Sequence, residues 1–281
     1  MTDVTVSVLA ANLDHPEGVA AISGGSLVAG GEAGQLYVIS PTGELREIAN
    51  TGGYCLGIAV DGAGSLYVCD MGRRALLRYS FEDDVVEDLT TGLSAQGVRV
   101  PNYPVFDVHG RLYFSDSGDW GQNNGLLHVR FPDGRVEVAS KEVGGFTNGL
   151  AIDQNQEFLY VVESSVPAIT RCKLMSDGSL GSPEIYLNLE QNYVPDGIAF
   201  TSEGELLIAC YRPDAVLLYS EGKIKVLFGD EKGLSMSAPT NVAFFGDNLE
   251  RLAYANLAAG FIGEIHSGLR GARLNFPIVE S

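Results

Sequence analysis

Apolar and polar residues alternate in short runs along the whole chain, and turn residues close each run. A period of two over such lengths predicts strands, and no sustained 3.6-residue period competes with it. The runs fall into groups of four, and each group opens on a related segment. Its clearest form is TNGLAID, residues 147–153, in which Asn148 precedes small and aliphatic residues and an acid closes the run. Versions begin at Glu17 (EGVAAI), Leu56 (LGIAVD), Asn102 (NYPVFD), Asp196 (DGIAFT) and Asn241 (NVAFFG), separated by 39, 46, 46, 48 and 45 residues. Leucines of the second run, Leu66, Leu112, Leu159, Leu206 and Leu252, recur every 46 or 47 residues and support the same register.

Units of this length, each with four strands and turn chemistry between them, predict β-propeller blades. The expectation is an all-β chain: one six-bladed propeller over residues 1–281. In the first unit the strands fall at residues 17–22, 26–30, 35–40 and 45–49. The segment VTVSVL, residues 4–9, stands outside the repeat and is predicted to complete the sixth blade, closing the ring and removing an exposed edge. Residues 273–279 are a second candidate for that edge.

Composition narrows the function. Thirty-five glycines suit many tight turns, and 18 basic against 36 acidic residues give a net charge of −18. That charge disfavours nucleic acid and anionic membrane surfaces as partners and is otherwise the mark of a well-solvated surface. Cys55, Cys69, Cys172 and Cys210 form no CxxC pair. No run approaches the ~20 apolar residues of a membrane span, and the N-terminus lacks the order of a signal peptide. The expected setting is the reducing cytoplasm, and the expected assembly a monomer or weak oligomer.

In a propeller the first strand of each blade lines the channel, so Glu17, Leu56, Asn102, Asn148, Asp196 and Asn241 are expected to converge at one end. Asn and Asp also favour the turns before strands, which accounts for single positions, Asn241 among them. It accounts less well for the group. Two unpaired buried carboxylates cost on the order of several kcal/mol, and no Lys or Arg occupies an equivalent position. A divalent cation held by Glu17, Asn148 and Asp196 resolves the conflict. An all-oxygen set favours calcium, magnesium or manganese, with zinc and iron(II) left open. The second strands return to the same face, bringing Asp70, Asp116 to Trp120, Glu163, Tyr211 and Asn256 to the rim, where Asp116 and Trp120 are candidates for substrate contact. A Trp in a glycine-rich loop is about as often a packing anchor.

The repeat plan and the motifs HPEG (15–18), PN (101–102), TNGLAID (147–153), PDGIAF (195–200) and APTNVAF (238–244) resemble the senescence marker protein, gluconolactonase and luciferin-regenerating enzyme family over essentially the whole chain. The resemblance implies a metal-dependent hydrolase that opens a small-molecule lactone or ester. Glu17, Asn148 and Asp196 match the family's metal ligands, and Asn102 its channel asparagine that contacts substrate or the water at the metal. Asp196 is then the expected general base.

Sugar-lactone hydrolases of the family often carry Arg before and Asp after the PN-type pair, where this chain has Val100 before Pro101 and Tyr103 after Asn102. Tyr103 is accordingly a candidate substrate contact, and a less polar lactone becomes an alternative to a sugar lactone. GxSxG, HExxH and GxxxxGK[ST] are absent from the sequence. Other readings are a non-catalytic propeller with a structural calcium ion that binds a ligand or protein, and a phosphotriesterase-like or strictosidine-synthase-like propeller enzyme.

Overall fold

The computed structural model describes residues 4–91 and 97–279. Its strands form six antiparallel sheets of four. Innermost in each sheet lie Val19–Ala21, Cys55–Val60, Pro101–Phe106, Thr147–Ile152, Val194–Phe200 and Pro239–Phe245. Each of these strands neighbours the next in sequence, and the last neighbours the first, so the sheets close a ring as blades one to six. Among the described residues no helix is long and apolar enough to cross a membrane.

The expected closure is present. Thr5–Ala11 pairs antiparallel with Phe261–His266, with Val6 opposite Ile265, and supplies the fourth strand of blade six. Residues 273–279 do not form that edge. They belong to a tail that crosses the end of the channel away from the first residues of the inner strands. There Ala272 N donates to Phe200 O at 2.9 Å, Asn275 Nδ2 to Phe106 O at 3.3 Å, and Gly62 N to Pro277 O at 2.7 Å. The tail roofs an apolar cavity of about 160 Å³ lined by Ile58, Val105, Ile152 and Phe200.

The core lies between blades, not within one sheet. Both faces of a blade are covered by its neighbours, so middle strands such as Leu66–Asp70 and Leu112–Asp116 are buried along their whole length. This is why they read as continuous apolar runs while the outermost strands, such as Val85–Asp88, keep polar and half-exposed positions.

Candidate metal centre in the channel

One backbone contact explains the repeated residue-then-glycine pattern. At Gly18, Gly57, Gly149 and Gly197 a Cβ atom would collide with the carbonyl of the next blade's first residue: Leu56, Asn102, Asp196 and Thr240 respectively. Glycine lets adjacent inner strands approach, and the approach brings the preceding side chains together at one end of the channel.

This register corrects one assignment. Val242 lies opposite Tyr254 as Leu150 lies opposite Val161 and Ile198 opposite Ile208. Thr240, not Asn241, is therefore the counterpart of Glu17, Asn148 and Asp196, and Asn241 takes the glycine position. Its side chain turns to the gap left by Gly197, and its Nδ2 donates to Glu17 O at 3.2 Å. Tyr103 likewise occupies the glycine position of blade three and packs on Gly57.

Glu17, Asn102, Asn148 and Asp196 are all buried. Each has a buried oxygen without a hydrogen-bond partner: Glu17 Oε2, Asn102 Oδ1, Asn148 Oδ1 and Asp196 Oδ1. Burial, and then the charge of Asp196, pushes the Glu17 carboxyl well above the ordinary carboxylate range. Burial pushes Asp196 up to about 8, opposed by the neighbouring Asn148 amide. Two desolvated carboxylates, with unpartnered amide oxygens at the equivalent positions of intervening blades, make a donor set that suits a hard cation. On those oxygens, the residues present fit the ion.

Hydroxyl groups between blades fix these positions. Ser164 Oγ donates to Pro195 O at 2.7 Å and accepts from Asn148 Nδ2 at 3.2 Å. Ser115 Oγ donates to Asn148 O at 2.8 Å and accepts from Tyr103 N at 3.0 Å. Thr240 Oγ1 donates to Glu17 O at 2.7 Å across the ring closure. Sequence reading passed over Ser115, Ser164 and Thr240. Their signal is faint: a hydroxyl residue close to one end of an otherwise apolar strand.

The rim residues separate into two kinds. Asp116 is fully buried and its carboxylate accepts from Arg99 N at 2.9 Å and Val100 N at 2.8 Å, with His128 Nε2 at 3.7 Å. Burial opposes its charge, yet His128 and the two N–H groups hold its pKa below the ordinary value. Such a carboxylate anchors the loop entering its blade, so its oxygens are engaged by the fold and not turned to a substrate. Asp70 serves the loop at Tyr54 N, Glu163 those at Gly144 and Gly145, and Asn256 that at Ser237. Trp120 is different: it is 56% exposed, with its ring 5.1 Å from that of Phe146. Burial, then the charges of Glu17 and Glu32, raises the Tyr54 phenol.

A second group of possible ligands, Asp14, His15 and Glu32, sits at the surface. His15 Nδ1 lies 2.9 Å from Asp14 and 3.4 Å from Glu32, and Asp14 also accepts from Ala33 N and Gln35 Nε2. Its carboxylates are already engaged by His15 and by Ala33 N and Gln35 Nε2 and its atoms meet water, so it lacks the unsatisfied buried oxygens of the channel.

Comparison with known proteins agrees with this architecture. A family model described as the SMP-30/Gluconolactonase/LRE-like region matches residues 31–255. An uncharacterised Sulfolobus acidocaldarius protein is 34% identical over 167 residues, 53% of this chain and 59% of that protein. Lactonase drp35 of Staphylococcus aureus is 27% identical over 143 residues, 49% of this chain and 42% of the lactonase. The chain thus spans about half the length of the curated relatives it matches. Among solved structures, a luciferin-regenerating enzyme superposes with a TM-score of 0.80 at 17% identity, covering 98% of this chain and 99% of its own. A Xanthomonas campestris gluconolactonase gives 0.79 at 20%, covering 95% and 90%. The calcium-binding protein regucalcin from Agrobacterium tumefaciens gives 0.76 at 16%, covering 98% and 97%. At those identities the superpositions speak for the fold alone. With the family model matched over most of its length, the chain belongs to the SMP-30/gluconolactonase/LRE-like family.

Proposed function

We propose that this protein is a hydrolase that opens a lactone at a divalent cation held by Glu17, Asn148 and Asp196. The observation that carries the reading is the set of unpartnered buried oxygens on those three side chains, two of them carboxylates without a basic partner. Membership of a family with lactonases among its relatives supports the reaction class. A cation held by Glu17, Asn148 and Asp196 would supply polarisation of the lactone carbonyl and stabilisation of the negative charge that develops on its oxygen.

The chain's own residues do the rest. Asn102, whose buried amide oxygen is free, orients the attacking water or a substrate hydroxyl by accepting its hydrogen bond. Asp196, beside the cation, takes the proton from that water. The cation is calcium, magnesium or manganese by donor chemistry, because no thiolate or imidazole enters the set.

A structural calcium ion that holds the blades without catalysis is the second reading, favoured by the same all-oxygen set and by the calcium-binding description of regucalcin. The two are separated by assaying γ- and δ-lactones with metal-stripped protein, adding back single divalent ions, and repeating with Asp196→Asn. Hydrolysis restored by an ion and abolished in the variant supports the hydrolase. No turnover with any ion, alongside a rise in melting temperature with calcium, supports the structural ion.

A further inference from the structure

We propose that Trp120, Phe146 and Val166 form an apolar ledge beside the channel mouth that receives an aliphatic or aryl substituent of a neutral lactone. The inference rests on the hydrolytic reading and specifies its substrate. Trp120 is the chain's only tryptophan and is 56% exposed; Val166 is 47% exposed. Phe146 lies two residues before Asn148, and its ring centroid is 5.1 Å from that of Trp120. Val166 packs beside Gly145, where its Cγ2 would lie 2.5 Å from an added Cβ. Single exposed apolar residues are ordinary on protein surfaces, whereas a continuous group bordering a polar cleft is how ligand sites are lined.

The ledge is held in place. Ser117 Oγ donates to Thr147 O at 2.7 Å, Asp119 N to Asn124 Oδ1 at 2.8 Å, and Gly125 N to Gly144 O at 3.1 Å. Phe146 adopts a φ of 57° in the left-handed region, and its carbonyl accepts from Ser164 N at 3.1 Å. That is a conformation a bulky residue rarely takes unless the surroundings fix it. The loops thus hold the two aromatic residues together, with Phe146 directly before the strand that carries Asn148.

Charge selects a neutral group. Arg99, on the loop entering blade three, is engaged by Asp119 at 3.2 Å and by Asn124 O at 2.8 Å. Val100 and Tyr103 flank Pro101 and Asn102 without offering a charge to a polyhydroxylated ring.

The test compares two substrates on metal-loaded protein: δ-valerolactone and its hexyl-substituted counterpart. The ledge predicts that kcat/KM rises about tenfold or more with the hexyl group, since one methylene fully removed from water is worth a factor of about four. Trp120→Ala and Val166→Ser should bring the ratio of the two substrates towards one. Independently of turnover, Trp120 fluorescence is titrated with the hexyl-substituted lactam, which lacks the labile ester. A saturable blue shift, absent with the unsubstituted lactam and weakened in Val166→Ser, supports the ledge even if no lactone is hydrolysed; that combination overturns the hydrolytic reading alone. Equal kcat/KM for both lactones with unmoved fluorescence overturns the ledge and leaves hydrolysis standing. Absence of both turnover and fluorescence change overturns both.

Discussion

Asn148 Nδ2 donates to Ser164 Oγ at 3.2 Å, and this contact determines which end of the amide meets the channel. With the nitrogen held by Ser164, Oδ1 is left buried and unpartnered. The same hydroxyl donates to Pro195 O and so ties the strand carrying Asp196 to the strand carrying Asn148.

Replacing that hydroxyl tests its positioning role. Partners behind metal ligands typically change affinity by about 10- to 100-fold when removed. Ser164→Ala is therefore expected to weaken divalent-ion binding within that range, read by calorimetric titration of metal-stripped protein. Ser164→Thr, which restores the hydroxyl, should recover most of the loss.

The buried carboxylates make the metal-free protein sensitive to pH in a defined direction. Glu17 is pushed up by burial and by Asp196, and Asp196 up to about 8 by burial. Folded protein thus keeps protons that the unfolded chain has already released above the ordinary carboxylate range. Their contribution to stability is full below that range and is lost as pH rises through about 8. In thermal melts, metal-free wild type should lose stability relative to Asp196→Asn between about pH 5 and 9. Saturating calcium should shrink that difference.

Asp116, a candidate substrate contact on sequence alone, has both carboxylate oxygens engaged by backbone N–H groups in the structure. Asp116→Ala strands the N–H groups of Arg99 and Val100, at a cost of about 3 kcal/mol. Urea unfolding is expected to show that loss, while ion affinity at temperatures where the variant is folded stays within about twofold of wild type, the scale of a side chain outside the ligand set.

The C-terminal tail joins blades that are distant in the ring. Besides the contacts of Ala272, Asn275 and Pro277, Gly271 N donates to Leu249 O at 2.8 Å and Ser202 N to Arg270 O at 2.9 Å, and Val279 is buried. At about 1 kcal/mol per hydrogen bond, ending the chain after Ser267 should cost about 5 kcal/mol. The melting temperature should fall clearly while ion binding at low temperature persists, because the tail lies at the far end of the channel from Glu17 and Asp196.

The blades were legible in sequence because the repeat is imposed by geometry at every turn. Glycine must follow the first residue wherever the next blade's carbonyl approaches, as at Gly18, Gly57, Gly149 and Gly197, and strand alternation follows burial between blades. The register of blade six was not legible, because Asn241 replaces that glycine and imitates a first residue one position late. Nor could sequence distinguish Asp116, whose oxygens are consumed by backbone N–H groups, from Asp196, whose oxygen is not. Both are buried acids, Asp196 on the first strand of its blade and Asp116 at the end of the second, and the partners of their oxygens show which one the fold has already engaged.

The most direct measurement is a calorimetric titration of metal-stripped protein with calcium and with manganese, repeated on Glu17→Gln and Asp196→Asn. One ion per chain in the wild type, with affinity lost by at least about 100-fold in each variant, is the predicted result. Unchanged stoichiometry and affinity in both variants would contradict a cation held in the channel.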